Sequence, residues 1–121
     1  MALGQNIKIE QELISETGPA ILRLRGDIDA HTSRTLQKYI GELFAANCYK
    51  VIIDLSHVKY MSSAGASLLV VAQTEANENK GAIVLVRPSQ SVKYVLDILG
   101  LTPILQMAED RNNALALLSA Q

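Results

Sequence analysis

The amino-acid sequence predicts a single α/β domain in which helices pack against a mostly parallel central sheet, in the order β-β-α-β-α-β-α-β-α. Two short runs, Val51–Leu55 and Ala82–Val86, are rich in β-branched residues and apolar on both faces, as parallel strands covered on both sides are. Segments of helical period alternate with the strands, and this alternation implies crossover connections. The length of 121 residues suits one domain over residues 1–121, with a core at about 7–118.

The first predicted elements are a hairpin and an amphipathic helix. Ile7–Ile14 begins with alternating apolar and charged residues and indicates an edge strand. The turn-forming residues Ser15–Pro19 separate it from Ala20–Arg25, which indicates a second strand that Gly26 closes. From Thr32 the period becomes helical, and the predicted buried stripe consists of Leu36, Ile40, Leu43, Phe44 and Asn47.

The rest of the chain alternates strands and helices. Val51–Leu55 should lie in the middle of the sheet, with Asp54 in a turn at its end. The other predicted elements are a helix over Ser62–Lys80, the strand Ala82–Val86, a helix from Pro88 to Gly100, a short strand Ile104–Met107 and a helix from about Asp110. Their predicted inward residues are Leu68, Leu69, Ala72 and Ala76, then Val92, Val95, Leu96 and Leu99, and finally Ala114, Leu117 and Leu118.

Composition argues against several classes of function. A net charge of −1 provides no general attraction for nucleic acid or for an acidic membrane. The sequence has four tyrosines, one phenylalanine and no tryptophan, so it offers few aromatic side chains on which bases could stack. No apolar run approaches the about 20 residues of a membrane span, and the start of the chain does not resemble a signal peptide. The lone Cys48 is interpreted as a small buried thiol, so a reducing, cytoplasmic location is expected.

Two polar segments, residues 26–32 and 54–65, follow predicted strands, where sheets of this type meet their ligands and partners. His31 and His57 lie in them, but neither has a second ligand at a metal-binding spacing. A glycine-rich phosphate loop is also missing from the sequence. We therefore expect no metal, no cofactor and no enzymatic activity. A small enzyme or ligand-binding domain on a flavodoxin-like sheet is the alternative class, and it would require a pocket with convergent polar groups.

The second segment contains the most specific motif. Asp54-Leu55-Ser56 is followed, after four residues, by Met61-Ser62-Ser63-Ala64-Gly65 at the start of a helix. Together with the runs at 25–29 and 92–101, this pattern resembles the STAS family, in particular the anti-sigma factor antagonists, over about residues 7–118.

The resemblance implies partner switching. In this scheme the unmodified antagonist binds a kinase-type anti-sigma factor, phosphorylation by that serine kinase breaks the complex, and a serine phosphatase restores it. The commonest family motif has its acceptor just before the glycine, where this chain has Ala64. Other members have Ser-Ala-Gly, which implies Ser63 as the acceptor, with Ser62 as the alternative. Ser62 and Ser63 could also simply cap the helix.

The predicted partner surface includes both segments. Its residues are Asp27, Asp29, His31, Thr32, Met61, Ser62, Ser63, Ala64, Gly65 and Ser67. Asp29 matches a family aspartate near the acceptor, but helix capping would also explain it, and Asp27 is interpreted as a solvated carboxylate. Ser67, Val70, Val71 and Thr74 form a strip that either faces a partner or is buried by the sheet. The alternative function is a STAS binding module that is never phosphorylated and serves a signalling scaffold or a transporter complex.

Overall fold

A computed structural model describes residues 7–16 and 18–120. The elements are, in chain order, β1 (Lys8–Leu13), β2 (Ala20–Arg25), α1 (Thr32–Ala45), β3 (Lys50–His57), α2 (Ser63–Glu78), β4 (Ala82–Val86), α3 (Gln90–Ile98), β5 (Gln106–Ala108) and α4 (Arg111–Ser119). The strands form one sheet in the order β1-β2-β3-β4-β5. β1 and β2 are antiparallel and every other neighbouring pair is parallel. The predicted α/β class, element order and central position of β3 are confirmed.

The two faces of the sheet are covered differently. The larger core lies on one face, where buried residues of α1, α2 and α3 pack against alternate residues of the strands, such as Leu22, Ile53 and Leu85. On the other face, Ala114 and Leu118 of α4 pack over a smaller core. Burial on both faces explains why β3 and β4 lack the apolar-polar alternation of an exposed strand.

A buried side chain joins α2 to the sheet. Gln73 is 4% exposed, and its Oε1 accepts a hydrogen bond from the backbone N of Ile83 at 2.7 Å. β5 pairs with β4 only from Val84 onward, so the Gln73 amide satisfies a donor that the β4–β5 ladder does not use.

A charged network ties α4 to the hairpin. Glu12 on β1 accepts hydrogen bonds from Arg23 of β2 at 2.6 Å and from Arg111 of α4 at 2.9 Å. The hydrogen bond from Arg23, reinforced by that from Arg111, lowers the pKa of the Glu12 carboxyl from its ordinary value. Residues 99 positions apart in the chain are therefore joined on the second face of the sheet.

Two of the predicted element ends are wrong near the middle of the chain. β3 continues past Asp54 to His57, because an irregularity in the β2–β3 ladder lets Arg25 pair with His57. Asn47 does not extend the buried stripe of α1, which ends at Ala45; Asn47 is exposed and has a left-handed backbone, with a φ of 63°. Its N donates to Phe44 O and the N of Cys48 donates to Leu43 O, which is a Schellman ending. Cys48 is buried, as predicted.

Further differences lie toward the C-terminus. The last strand is Gln106–Ala108 rather than Ile104–Met107, because Ile104 and Leu105 belong to a turn in which both donate to Leu101 O. Leu99 follows the last residue of α3 and is exposed, so the predicted inward stripe there reduces to Val92 and Leu96, with Val95 half-buried. In α4 the buried residues are Ala114 and Leu118, whereas Leu117 is 36% exposed.

Candidate functional site

The two polar segments predicted as a site lie side by side. Ile28 and Met61 form an isolated parallel β-bridge. The N of Ile28 donates to Tyr60 O at 2.9 Å, and the N of Ser62 donates to Ile28 O at 2.7 Å. The β2–α1 loop (residues 26–31) and the β3–α2 loop (residues 58–62) are therefore joined by backbone hydrogen bonds just before α2 begins.

Asp29 fixes the shape of the β2–α1 loop. Its Oδ1 accepts hydrogen bonds from the backbone N of His31 and of Thr32, both at 2.8 Å. In return the Thr32 Oγ1 accepts from the N of Asp29 at 2.9 Å, and it donates to Asp27 O at 2.7 Å. This reciprocal arrangement has the form of a capping box, but it lies in the turn that leads into α1, whose N-cap is His31 with no side-chain capping hydrogen bond. The hydrogen bonds, led by that from the Thr32 backbone, lower the pKa of the Asp29 carboxyl. Asp29 thus stabilises the turn that leads into α1 and is not the N-cap residue of that helix.

The two serines at the start of α2 differ in their environment. Ser62 is half-buried and is the N-cap, because its Oγ accepts a hydrogen bond from the N of Gly65 at 3.2 Å. Ser63 is the first residue of α2 and is exposed, as is Ala64. Within the described part of the chain, the Ser63 hydroxyl makes no hydrogen bond. Ser63 therefore offers a free hydroxyl at the positive end of a helix of 16 residues.

Gly65 allows the two loops to approach each other closely. A Cβ at this position would lie 2.6 Å from Ile28 Cγ2 and 3.2 Å from Met61 Cγ. Ile28 and Met61 are buried beneath the surface, so they act as the apolar support for the exposed residues of both loops.

The predicted partner-surface residues separate by exposure. The exposed ones are Asp27, His31, Ser63, Ala64 and Ser67. Asp29 and Ser62 are half-buried, whereas Thr32, Met61 and Gly65 are buried and can influence a partner only through the shape of the loops. On the outer strip of α2, Ser67, Val71 and Thr74 are exposed and Val70 is half-buried, so the sheet does not bury this strip.

Two exposed tyrosines, Tyr60 and Tyr94, are not among the predicted partner-surface residues. Tyr60 precedes Met61 and is 51% exposed, and Tyr94 on α3 is 66% exposed. They line one open groove of about 610 Å³ together with Lys93, Val95, Asp97 and the first turn of α3. The sequence offered one signal for their exposure. Tyr60 and Tyr94 are two of the four tyrosines in the sequence, and neither belongs to a predicted strand or to a predicted inward stripe of a helix.

The histidines predicted not to bind metal lie in exposed positions. His57 Nδ1 is 3.2 Å from Ser56 Oγ, and His31 lies in the β2–α1 loop. Within residues 7–16 and 18–120, no three His, Cys, Asp or Glu side chains are grouped so that they could hold a metal ion. Among the described helices, none combines the length and apolar character needed to cross a bilayer.

Comparison with known proteins places this architecture in a family. The chain matches the STAS domain family over residues 10–114. The chain belongs to the STAS domain family. Among similar STAS proteins, the anti-sigma F factor antagonist of Paenibacillus polymyxa is 27% identical over 91% of this chain and 93% of its own. The anti-sigma-F factor antagonist RsfB of Mycobacterium tuberculosis is 29% identical over 81% of this chain and 80% of its own.

Solved STAS structures share the fold. Unphosphorylated SpoIIAA, an anti-sigma factor antagonist, superposes with a TM-score of 0.78 at 22% identity, over 94% of this chain and 98% of its own. The phosphorylated form of the Bacillus protein SpoIIAA superposes with a TM-score of 0.69 at 21% identity, over 90% of this chain and 97% of its own. At this identity the likeness concerns the fold.

Proposed function

We propose that this STAS protein is an anti-sigma factor antagonist that binds a kinase-type anti-sigma factor. The proposed docking surface consists of the β2–α1 loop and the start and outer side of α2. The observation that carries the proposal is the exposed Ser63, placed at the first position of α2 beside two loops that are bonded to each other. The names of the similar curated proteins, which are anti-sigma factor antagonists, support it. The proposal implies a cytoplasmic protein, because sigma factors act there.

The proposed switch is phosphorylation of Ser63 by the partner kinase. A phosphate adds a charge of about −1.5 to −2 at the docking surface, where desolvation and repulsion by acidic groups oppose binding. The free protein tolerates this charge, because the N-terminal end of a helix favours anions. Phosphorylation would therefore release the partner while the fold persists, and a serine phosphatase would restore binding.

Ser63 suits the acceptor role better than Ser62 does. The Ser62 Oγ already caps α2 and is half-buried, so a kinase would have to remove the cap before reaching it. Ala64 has no hydroxyl at the position that the commonest family motif phosphorylates. Asp29 contributes by holding the β2–α1 loop in place, since its Oδ1 accepts hydrogen bonds from the backbone N of His31 and of Thr32.

A constitutive binding module is the second candidate. Ala64 favours it, because the position of the commonest acceptor cannot be phosphorylated. In that case the same surface would bind a signalling scaffold or a transporter complex permanently, without regulation by phosphorylation. The exposed Val71, with 64% of its surface accessible, suits a docking face in either case.

The test is phosphorylation measured by intact mass and by peptide mapping, after incubation with ATP and each candidate anti-sigma kinase from the source genome. The variants are Ser63→Ala, Ser62→Asn and Ser67→Ala. Ser62→Asn removes the hydroxyl but retains a capping side chain, and Ser67→Ala removes an exposed hydroxyl on the same helix. We expect one phosphate on the wild type and on both controls, and none on Ser63→Ala.

Binding measurements complete the test. Ser63→Glu should weaken binding of the kinase at least about tenfold, which corresponds to about 1.4 kcal/mol. Binding to a kinase without transfer of phosphate would contradict the switch and support the constitutive module. If no anti-sigma kinase binds the wild type, the proposed function itself is wrong.

A further inference from the structure

The second face of the sheet is open beside α4. α4 packs against β3, β4 and β5, and the adjoining part of the sheet carries a cleft of about 280 Å³. Its lining contains Lys8, Glu10, Arg23, Leu24, Arg25, Asp54 and His57. The cleft is separate from the start of α2 and from the Tyr60–Tyr94 groove.

The charged residues of the cleft form two rows across the strands, an inner row at Arg23 within β2 and an outer row at Arg25, the last residue of β2. In the inner row, Arg23 pairs in register with Glu10 of β1 and with Asp54 of β3, so a base lies between two acids. In the outer row, Arg25 pairs with Lys8 of β1 and with His57 of β3. We call this outer row, Lys8–Arg25–His57, the basic row.

The basic row has no acid within it. Both ion pairs of the described ranges use Glu12, and neither includes Lys8 or Arg25. Residues 1–6 also contain no acidic side chain. Like charges directly opposite each other on neighbouring strands destabilise a sheet, so the Lys8–Arg25 pair is unfavourable in the isolated protein.

Protection of the sheet edge explains only part of this arrangement. A lysine on an edge strand such as β1 discourages pairing with other chains, which accounts for Lys8. Arg25 lies on β2, which has a neighbour on each side, so edge protection does not account for it. The solvated part of this face needs polar residues, but it does not need three basic ones aligned across β1, β2 and β3.

We propose that the basic row is a binding site for a small anion that bears a phosphate group. The planar guanidinium of Arg25 matches two phosphate oxygens, and the Lys8 ammonium adds a point charge and further donors. In the inner row, Arg23 is already bonded to Glu12 and lies between the carboxylates of Glu10 and Asp54, so the anion would bind at the outer row. The site adjoins the β2–α1 loop, because Gly26, the residue after Arg25, donates to His57 O at 3.2 Å. The proposal does not depend on the proposed partner.

The first test titrates the full chain with inorganic pyrophosphate while following backbone amide shifts by two-dimensional NMR at constant ionic strength. We expect saturable shifts at Lys8, Arg25 and His57, and at least about tenfold weaker binding for Arg25→Gln. Arg34→Gln, which removes one exposed positive charge from α1, is the matched control and should bind as the wild type does. The absence of saturable shifts at the basic row, or equal weakening by both substitutions, would overturn the proposal.

A charge reversal tests the same site through stability. Lys8→Glu places an acid opposite Arg25, so it should raise the melting temperature and abolish the rise in melting temperature that pyrophosphate produces in the wild type. A variant that is more stable and still gains the same increment from pyrophosphate would refute the site. Because this variant is expected to fold better than the wild type, misfolding cannot produce the expected result.

Discussion

Ile28 and Met61 are bridged to each other as a parallel pair outside the main sheet, one from each of the loops that flank the start of α2. Both side chains are buried, and the Ser62 cap is attached to this pair through the hydrogen bond from its N to Ile28 O. The exposed Ser63 therefore follows a buried pair that joins the two loops by backbone hydrogen bonds.

Gly65→Ala should destabilise the protein by about 1–3 kcal/mol, because the new methyl group would overlap Ile28 Cγ2 in a packed region. Gly41→Ala is the matched control. Gly41 lies within α1, and a Cβ there meets no atom within 4 Å. This substitution should stabilise by about 0.5–1 kcal/mol, because alanine favours a helix. Urea unfolding measures the change in free energy of unfolding for both substitutions. Equal changes for Gly65→Ala and Gly41→Ala would contradict the close packing at Gly65.

Ser62→Ala should lower the free energy of unfolding by about 0.5–2 kcal/mol, because it removes the N-cap of α2. Ser63→Ala should change it by less than about 0.5 kcal/mol, because the hydroxyl is exposed and bonds to nothing in the described structure. Chemical denaturation of the two variants at neutral pH provides the measurement. A larger loss for Ser63→Ala would reverse the roles assigned to the two serines.

The sequence predicted the fold well because its signals are local. The doubly apolar runs of β3 and β4 and the helical periods between strands indicated the order of the elements, and the prediction of Val51–Leu55 as the central strand is confirmed. Errors arose where tertiary pairing decides. β3 continues through the polar Asp54 because β2 provides backbone partners there, and no local pattern signals that pairing.

The site was predicted in part. Both loops were recognised because they follow strands, but their direct contact through Ile28 and Met61 depends on the register of distant segments. Likewise, the basic row joins residues 8, 25 and 57, which no sequence motif connects. Sequence motifs identify residues that are close together in the chain, whereas the residues of the basic row are brought together only by the pairing of β1, β2 and β3.

Gln73→Leu should lower the free energy of unfolding by about 1–3 kcal/mol, because it leaves the buried N of Ile83 without its acceptor. Gln37→Leu, on the exposed side of α1, makes the same chemical change without removing a buried hydrogen bond. The free energy of unfolding of Gln37→Leu should stay within about 0.5 kcal/mol of that of the wild type. Amide exchange at Ile83 adds a local measurement, and unchanged protection in Gln73→Leu would refute the role of this hydrogen bond.

The contribution of Asp29 should depend on pH. Its pKa is lower in the folded chain than in the unfolded chain, because the folded carboxylate accepts hydrogen bonds from Thr32 and His31. The stabilisation is therefore fully present above the carboxyl's ordinary pKa of about 3.9, and it is lost as the pH falls through the lower folded value. Asp29→Asn should accordingly reduce stability most near neutral pH, with a deficit that shrinks in acid.

Urea unfolding from about pH 7 down to about pH 3 tests this expectation for the wild type and Asp29→Asn. Asp27→Asn is the matched control, because it changes an exposed carboxylate in the same loop, and Asp27 takes part in the Thr32 network only through its backbone oxygen. The deficit at neutral pH should be larger for Asp29→Asn than for Asp27→Asn. A deficit for Asp29→Asn that stays constant as the pH falls would show that the charge of Asp29 does not strengthen its hydrogen bonds to the backbone N of His31 and of Thr32.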